Sequence, residues 1–211
     1  MFITHKCYHY LVIKMRKYVL VTGIEPFGDF TANSSEDVAR KLSGSIINDY
    51  NIIGLTIPYD SRRVKENLLD RIKGIKPELV IMLGQAFSPE QRITLESLAR
   101  NYVDYTKEDL YDNTGYQPPT GEIVPSTPKE LKTQIPVREL EETLSEMGFN
   151  TTTSTNCGTN FCNETYYHTL LGEYQAMFVH LPPYSSEQSK EFERGMMTKA
   201  IFSIIDELTK Q

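Results

Sequence analysis

A single α/β domain, a three-layer α/β/α sandwich on a mostly parallel twisted sheet, is predicted by three observations. Short apolar, β-branched runs recur along the 211 residues. Segments with apolar residues at helical spacing separate them. No linker, repeat or composition break divides the chain. Strands that alternate with helices return to one sheet and cover both its faces. The length suits one sizeable core.

The elements follow in order. Residues 1–16 read as an N-terminal extension, with an added strand as one reading and Met15 as an alternative start; residues 17–211 form the domain. Tyr18–Thr22 is a compact apolar run ending at Gly23, which predicts a buried strand. After a loop, Ser34 or Ser35 is placed to cap a helix to about Leu42, with Glu36 and Asp37 in its first turn. Asn51–Ile57 is β-branched and alternating, a second strand. Asp60 or Ser61 opens a helix to about Lys73, with Val64, Leu68, Leu69 and Ile72 on one face. Glu78–Leu83 is a third buried strand closed by Gly84, and residues 92–105 carry further strand.

Residues 106–136 are rich in Pro, Gly, Thr and Asp without a period, and read as a long surface loop with a hairpin. Val137–Met147 is a helix stopped by Gly148, and Asn150–Ser154 a Thr-rich strand. Phe161 to about Leu171 is a helix, Ala176–Leu181 a strand, and Glu187–Leu208 a long final helix. Ligands bind beyond the carboxyl ends of parallel strands. The loops after Thr22, Leu83, Ser154 and Leu181 are expected to share that edge.

A net charge of −6 and no basic run oppose nucleic acid as a partner. The longest apolar runs are too short to span a bilayer, so no membrane partner is expected. Three cysteines, Cys7, Cys157 and Cys162, with no secretion signal, predict a reducing cytoplasmic setting rather than a disulfide framework. Cys157, Cys162, His168 and His180 match no standard zinc spacing, so no metal and no cofactor are expected. A Cys157–Cys162 disulfide would need a short Cα separation. His168 is expected on a helix surface.

Cys162 enters a predicted helix, and His180 lies near the end of a predicted strand in FVHLP. A thiol is a weak nucleophile and a thiolate a strong one; a helix N-terminus and a nearby imidazole both favour the thiolate. Together they point to an acyl-enzyme hydrolase. Taken alone, Cys162 is more often an inert buried thiol, His180 a satisfied strand-end histidine and Glu96 a solvated charge.

Four segments in order reverse that weighting. GIEPFG at 23–28 with Asn33-Ser34, GQA at 84–86 with ITLESLARN at 93–101, STNCGTNFCN at 154–163, and FVHLP at 178–182 resemble the motifs of the pyroglutamyl peptidase type I family, also called pyrrolidone-carboxylate peptidase. The resemblance runs from about Lys17 to the C-terminus. It implies a phosphorylase/hydrolase-like α/β fold and a cysteine exopeptidase that removes an N-terminal pyroglutamyl residue from peptides. It puts the nucleophile on Cys162, the base on His180 and the orienting carboxylate on Glu96. It puts the acyl slot at Ile24, Phe27, Gln85, Asn160 and Phe161, and implies a homodimer or homotetramer.

The chain departs from the family at several of these places. The first Phe of the N-terminal motif is Ile24, and the aromatic two residues before the nucleophile is Asn160. Cys157-Gly158 stands for A-G, Phe87-Ser88 for a glycine pair, and residues 108–113 replace A-R-[IV]-P-D-N. Losing an aromatic contact costs on the order of 1 kcal/mol. A thiol hydrolase with a changed acyl group and a non-catalytic homologue are the alternatives.

Overall fold

The structure, a computed structural model, describes residues 16–87 and 90–210. The predicted N-terminal extension lies almost wholly outside the described residues. Strand β1 (Lys17–Ile24) is followed by helix α1 (Ser34–Leu42). Asn33 caps α1, not Ser34 or Ser35: its Oδ1 accepts from Ser35 N at 3.0 Å. The Ser35 hydroxyl donates to Asn33 Oδ1 at 2.7 Å and accepts from Ile24 N, which ties the helix start to the strand end. A short strand β2 (Ile46–Ile47) turns back against β3 (Tyr50–Ile57).

The helix predicted from Asp60 to Lys73 is three pieces. Asp60 caps a 3₁₀ turn at Ser61–Arg63, a wide π turn follows at Lys65–Leu69, and regular helix α2 runs only from Asp70–Ile75. Lys76 adopts a left-handed conformation and ends it. Strand β4 (Leu79–Gln85) is buried throughout.

Residues 92–105 divide at Ser97. Strand β5 (Ile93–Glu96) joins the main sheet, whereas β6 (Leu98–Arg100) leaves it. In the 106–136 segment, a 3₁₀ turn at Thr106–Glu108 precedes β7 (Glu130–Lys132), which pairs antiparallel with β6. The chain closes with α3 (Val137–Glu146), β8 (Thr151–Ser154), α4 (Phe161–Leu171), β9 (Ala176–Leu181) and α5 (Lys190–Thr209).

The main sheet has seven strands in the order β2-β3-β1-β4-β9-β5-β8. Its centre, β3-β1-β4-β9, is parallel. Strand β5 runs antiparallel to β9, and β8 follows β5. The loop after Ser154 therefore does not leave the same edge as the loops after β1, β4 and β9. Through Glu96, Ser154 is level with Phe178 in mid-sheet.

Alternate residues face opposite layers. One face packs Val19, Val21, Ile81, Leu83, Leu95 and Val179 against α1, α3 and α5. The other packs Leu20, Val80, Met82 and Phe178 with Leu68, Ile72, Phe161, Tyr166 and Tyr167 from the α2 and α4 side. Helix α4 is buried nearly all round, because the 98–136 arm covers its outer side. Asn163 bonds to Arg100 N, Arg100 O and Tyr102 O, and the Tyr167 hydroxyl donates to Pro128 O at 2.6 Å. The expected surface loop is thus a cover over the helix that carries Cys162. Among the described residues no helix is long and apolar enough to cross a membrane.

Candidate active site

Each candidate side chain sits beside a backbone that the sheet holds still. In β9, Val179 faces α5 and its neighbour His180 faces α4. Thr94 is the cross-strand partner of His180, so Glu96, two residues on, is its diagonal neighbour on the same face. Glu96 Oε1 lies 2.9 Å from His180 Nδ1. The Phe178 ring stacks at a tilt 4.9 Å from the imidazole, and Tyr166 backs Phe178 at 5.8 Å. The Tyr166 hydroxyl in turn donates to Glu96 O at 3.1 Å. Packing and hydrogen bonds therefore fix both the imidazole and the carboxylate.

Cys162 arrives from the other side. After Ser154 the chain crosses the face through residues 155–160, where Gly158 takes a φ of +83° that L side chains rarely adopt. Asn160 is extended and its carbonyl receives the first α4 bond, from Glu164 N. Cys162 follows in the first turn, where backbone N–H groups have no partner within the helix. Its sulfur rests against Gly84, the β4 residue paired with His180. A Cβ at Gly84 would stand 3.0 Å from Cys162 Sγ and 2.8 Å from the Phe178 ring. The bare glycine backbone leaves the room the thiol occupies.

The imidazole bridges Cys162 and Glu96. Burial alone would lower its pKa. Hydrogen bonds to Cys162 and Glu96, and their negative charges, outweigh burial and raise it to about 10. With Nδ1 toward Glu96, Nε2 is left for the thiol. The second carboxylate oxygen, Glu96 Oε2, is buried with no protein partner among the described residues, so the imidazole is the charge this carboxylate answers. Cys157 is also near, as a free, fully enclosed thiol. Burial pushes its pKa up, and the charges of Glu96 and Cys162 push it further, which leaves it inert.

Of the predicted slot residues, Ile24, Phe27 and Phe161 share the buried cluster on the α4 face. Asn160 is buried at the head of α4. Gln85 lies on the opposite face, where its Oε1 accepts from Ser34 N at 2.9 Å. His168, expected on the helix surface, is half-buried, and burial holds its imidazole below its ordinary pKa. Sequence reasoning missed Gly84 as thiol space, Asn163 as the clamp on the arm, and Tyr59. The Tyr59 ring stacks on Phe27 at 5.0 Å and meets Phe161 edge-on at 4.8 Å. Only its place after Pro58, at a strand end, hinted at it.

Comparison with known proteins matches this arrangement to one family. The family model described as pyroglutamyl peptidase matches residues 17–207. A pyrrolidone-carboxylate peptidase of Thermococcus litoralis is 34% identical over 178 residues, covering 82% of this chain and 79% of that protein. One from Bacillus subtilis is 35% identical over 153 residues, covering 72% and 69%. The solved pyrrolidone carboxyl peptidase of T. litoralis superposes with a TM-score of 0.79 at 30% identity, over 91% of this chain and 94% of that one. A mutant form of the Pyrococcus furiosus enzyme superposes at 0.80 with 27% identity, over 90% and 98%. The chain belongs to the pyroglutamyl peptidase family.

Proposed function

We propose that Cys162 is the nucleophile, His180 the base and Glu96 the orienting carboxylate with which this chain hydrolyses the amide bond after an N-terminal pyroglutamyl residue. The observation that carries the assignment is the imidazole held between the Cys162 thiol and a buried carboxylate at 2.9 Å. An imidazolium beside a sulfur at a helix N-terminus favours the thiolate. The thiolate adds to the pyroglutamyl carbonyl, and amides of the α4 first turn are placed to receive the oxyanion. The intermediate collapses as His180 gives its proton to the leaving amine, which departs with the bonding pair. Water, deprotonated by His180, then adds to the thioester and releases pyroglutamate and the thiolate. Glu96 holds the ring and stabilises its charged form throughout.

The test is turnover of a pyroglutamyl fluorogenic amide by the wild type and by Cys162→Ala. Turnover abolished in the variant, at unchanged melting temperature, is expected. Equal turnover by both proteins would remove Cys162 from the mechanism.

Asn160 supports a second reading, the same chemistry on an altered acyl group. A polar side chain there replaces apolar area that a lactam ring would cover. A panel of aminoacyl amides separates the two: a kcat/KM for pyroglutamyl above all others supports the first.

A further inference from the structure

The aromatic rings linked through Phe27 divide into a buried set and an exposed pair. Phe27, Tyr59 and Phe161 are buried on the α4 face. Phe27 stacks on Tyr59 at 5.0 Å, and Tyr59 meets Phe161 edge-on at 4.8 Å. Cys162 is the next residue and packs against the same cluster. Phe30 and Phe87 each stand edge-on against Phe27 at 5.7 Å, yet they are 37% and 54% exposed.

A lone exposed phenylalanine is ordinary. These two come from separate loops onto one buried ring, and both loops are held. Phe30 N donates to Phe27 O at 3.2 Å, across a turn in which Gly28 has a φ of +57°. Ala86 N donates to Leu181 O at 2.8 Å, which carries the β4 ladder to the residue before Phe87. Phe87 also stands for the first of the motif's glycine pair, and a glycine has no ring to offer. Apolar area held in water beside a site is area for a ligand to cover.

The position says which part of a substrate covers it. A Cβ at Gly84 would stand 3.0 Å from Cys162 Sγ. Phe87 is three residues further along, and three residues of chain span at most about 11 Å, the reach of three extended substrate residues. The acyl residue is the first of its peptide, so an enclosed slot can hold it. The rest of the peptide has to run out past exposed surface.

We propose that the exposed rings of Phe87 and Phe30 receive an apolar side chain, aromatic by preference, from among the first three residues after the scissile bond. Phe87 is then a specificity residue for the leaving peptide. The proposal rests on the hydrolase reading above.

The test uses four substrates: pyroglutamyl-trialanine amide and the three peptides in which one alanine is replaced by phenylalanine. Wild type is expected to prefer one phenylalanyl peptide over the alanine peptide by about tenfold in kcat/KM, mostly through KM. Phe87→Ala is expected to bring that ratio to about one, and Phe87→Tyr, which keeps the ring, to preserve it. Equal turnover of all four peptides by wild type overturns the proposal whether or not the variants fold. So does a Phe87→Ala protein that loses all four substrates equally and keeps the ratio. If wild type turns over none of them, the hydrolase reading falls and takes this inference with it.

Discussion

The two faces of the one sheet are built from adjacent residues and do opposite jobs. Leu83, Leu95 and Val179 point to α1, α3 and α5 and are completely buried. Gly84, Glu96 and His180, each the next residue in the chain, point to α4 and carry the candidate chemistry. The support face is aliphatic and covered by the amphipathic helices α1 and α3 and by one buried stripe of α5. The other face mixes rings, buried polar groups and an irregular arm. A period of two thus places Gly84, Glu96 and His180 each one residue from an immobile anchor, which is how a strand preorganises a site.

The sharpest way to break this division is to add or remove methyl groups at one adjacent pair. Gly84→Ala puts a Cβ 3.0 Å from Cys162 Sγ and against the Phe178 ring, so the thiol has to move. A displacement of about 1 Å costs on the order of 10²-fold in kcat/KM, and overpacking removes about 1–3 kcal/mol of stability. Leu83→Ala leaves a cavity in the support face, worth about 2–5 kcal/mol of stability, while each folded molecule keeps its kcat/KM within a few-fold. Denaturant titration and kinetics on both variants decide it. If Gly84→Ala stays fully active, or Leu83→Ala loses activity as a folded protein, the faces are not separable.

Next in size is Glu96→Gln. The amide still accepts from Nδ1–H but brings no charge. The expected loss in kcat is about tenfold to 10²-fold. The His180 pKa is raised from 6.5 to about 10 in the folded protein. A raised pKa contributes stability that is complete below the unfolded value and is lost as pH climbs through the folded one. The advantage of wild type over Glu96→Gln should therefore be present near neutrality and fade toward pH 10, and the alkaline limb of the kcat profile should move to lower pH in the variant. A variant with an unmoved alkaline limb would show that Glu96 does not set the imidazole's charge.

The same contrast explains what was legible in the sequence. The support face announces itself, since its strands are apolar runs and α1 and α3 have one apolar stripe, and β1, β3, β4, β8, β9 and α3 were predicted within a residue or two. Cys162, Glu96 and His180 were legible only through motif order, because nothing in a lone Glu or His says that a diagonal pair will form across two strands. The antiparallel entry of β5 was not legible, because it depends on how the chain turns back between Gln85 and Ile93, a stretch with no period, and β8 then pairs parallel to β5. Asn33 caps α1 in place of Ser34 or Ser35; the Ser35 hydroxyl is engaged by Ile24 N, a long-range bond that local propensity does not contain. Gln85 looked like a slot residue by motif, yet strand alternation alone would have sent it to the face opposite Gly84.

A charge outside the trio tests the same face through stability rather than turnover. Glu164, two residues past Cys162, is buried and accepts from the Tyr105 hydroxyl at 2.9 Å. Burial raises its pKa from 4.5 to about 7; bonds from Tyr105 and Ser61 pull the other way, and the nearby charge of Asp112 adds to the rise. Because the folded pKa is above the unfolded one, this group's contribution is complete below about pH 4.5 and is lost as pH rises to about 7, beyond which the buried carboxylate costs a constant amount. Glu164→Gln keeps an acceptor for Tyr105 and is neutral at every pH. Stability of the variant relative to wild type should therefore rise between pH 4.5 and 7 by a few kcal/mol at most, on the order of 3, and then level off. Other titrations cancel in the difference where they do not couple to this site. A flat difference across that range would mean that Glu164 is already ionised in the fold at pH 5, with Tyr105 and Ser61 solvating the charge as well as water does.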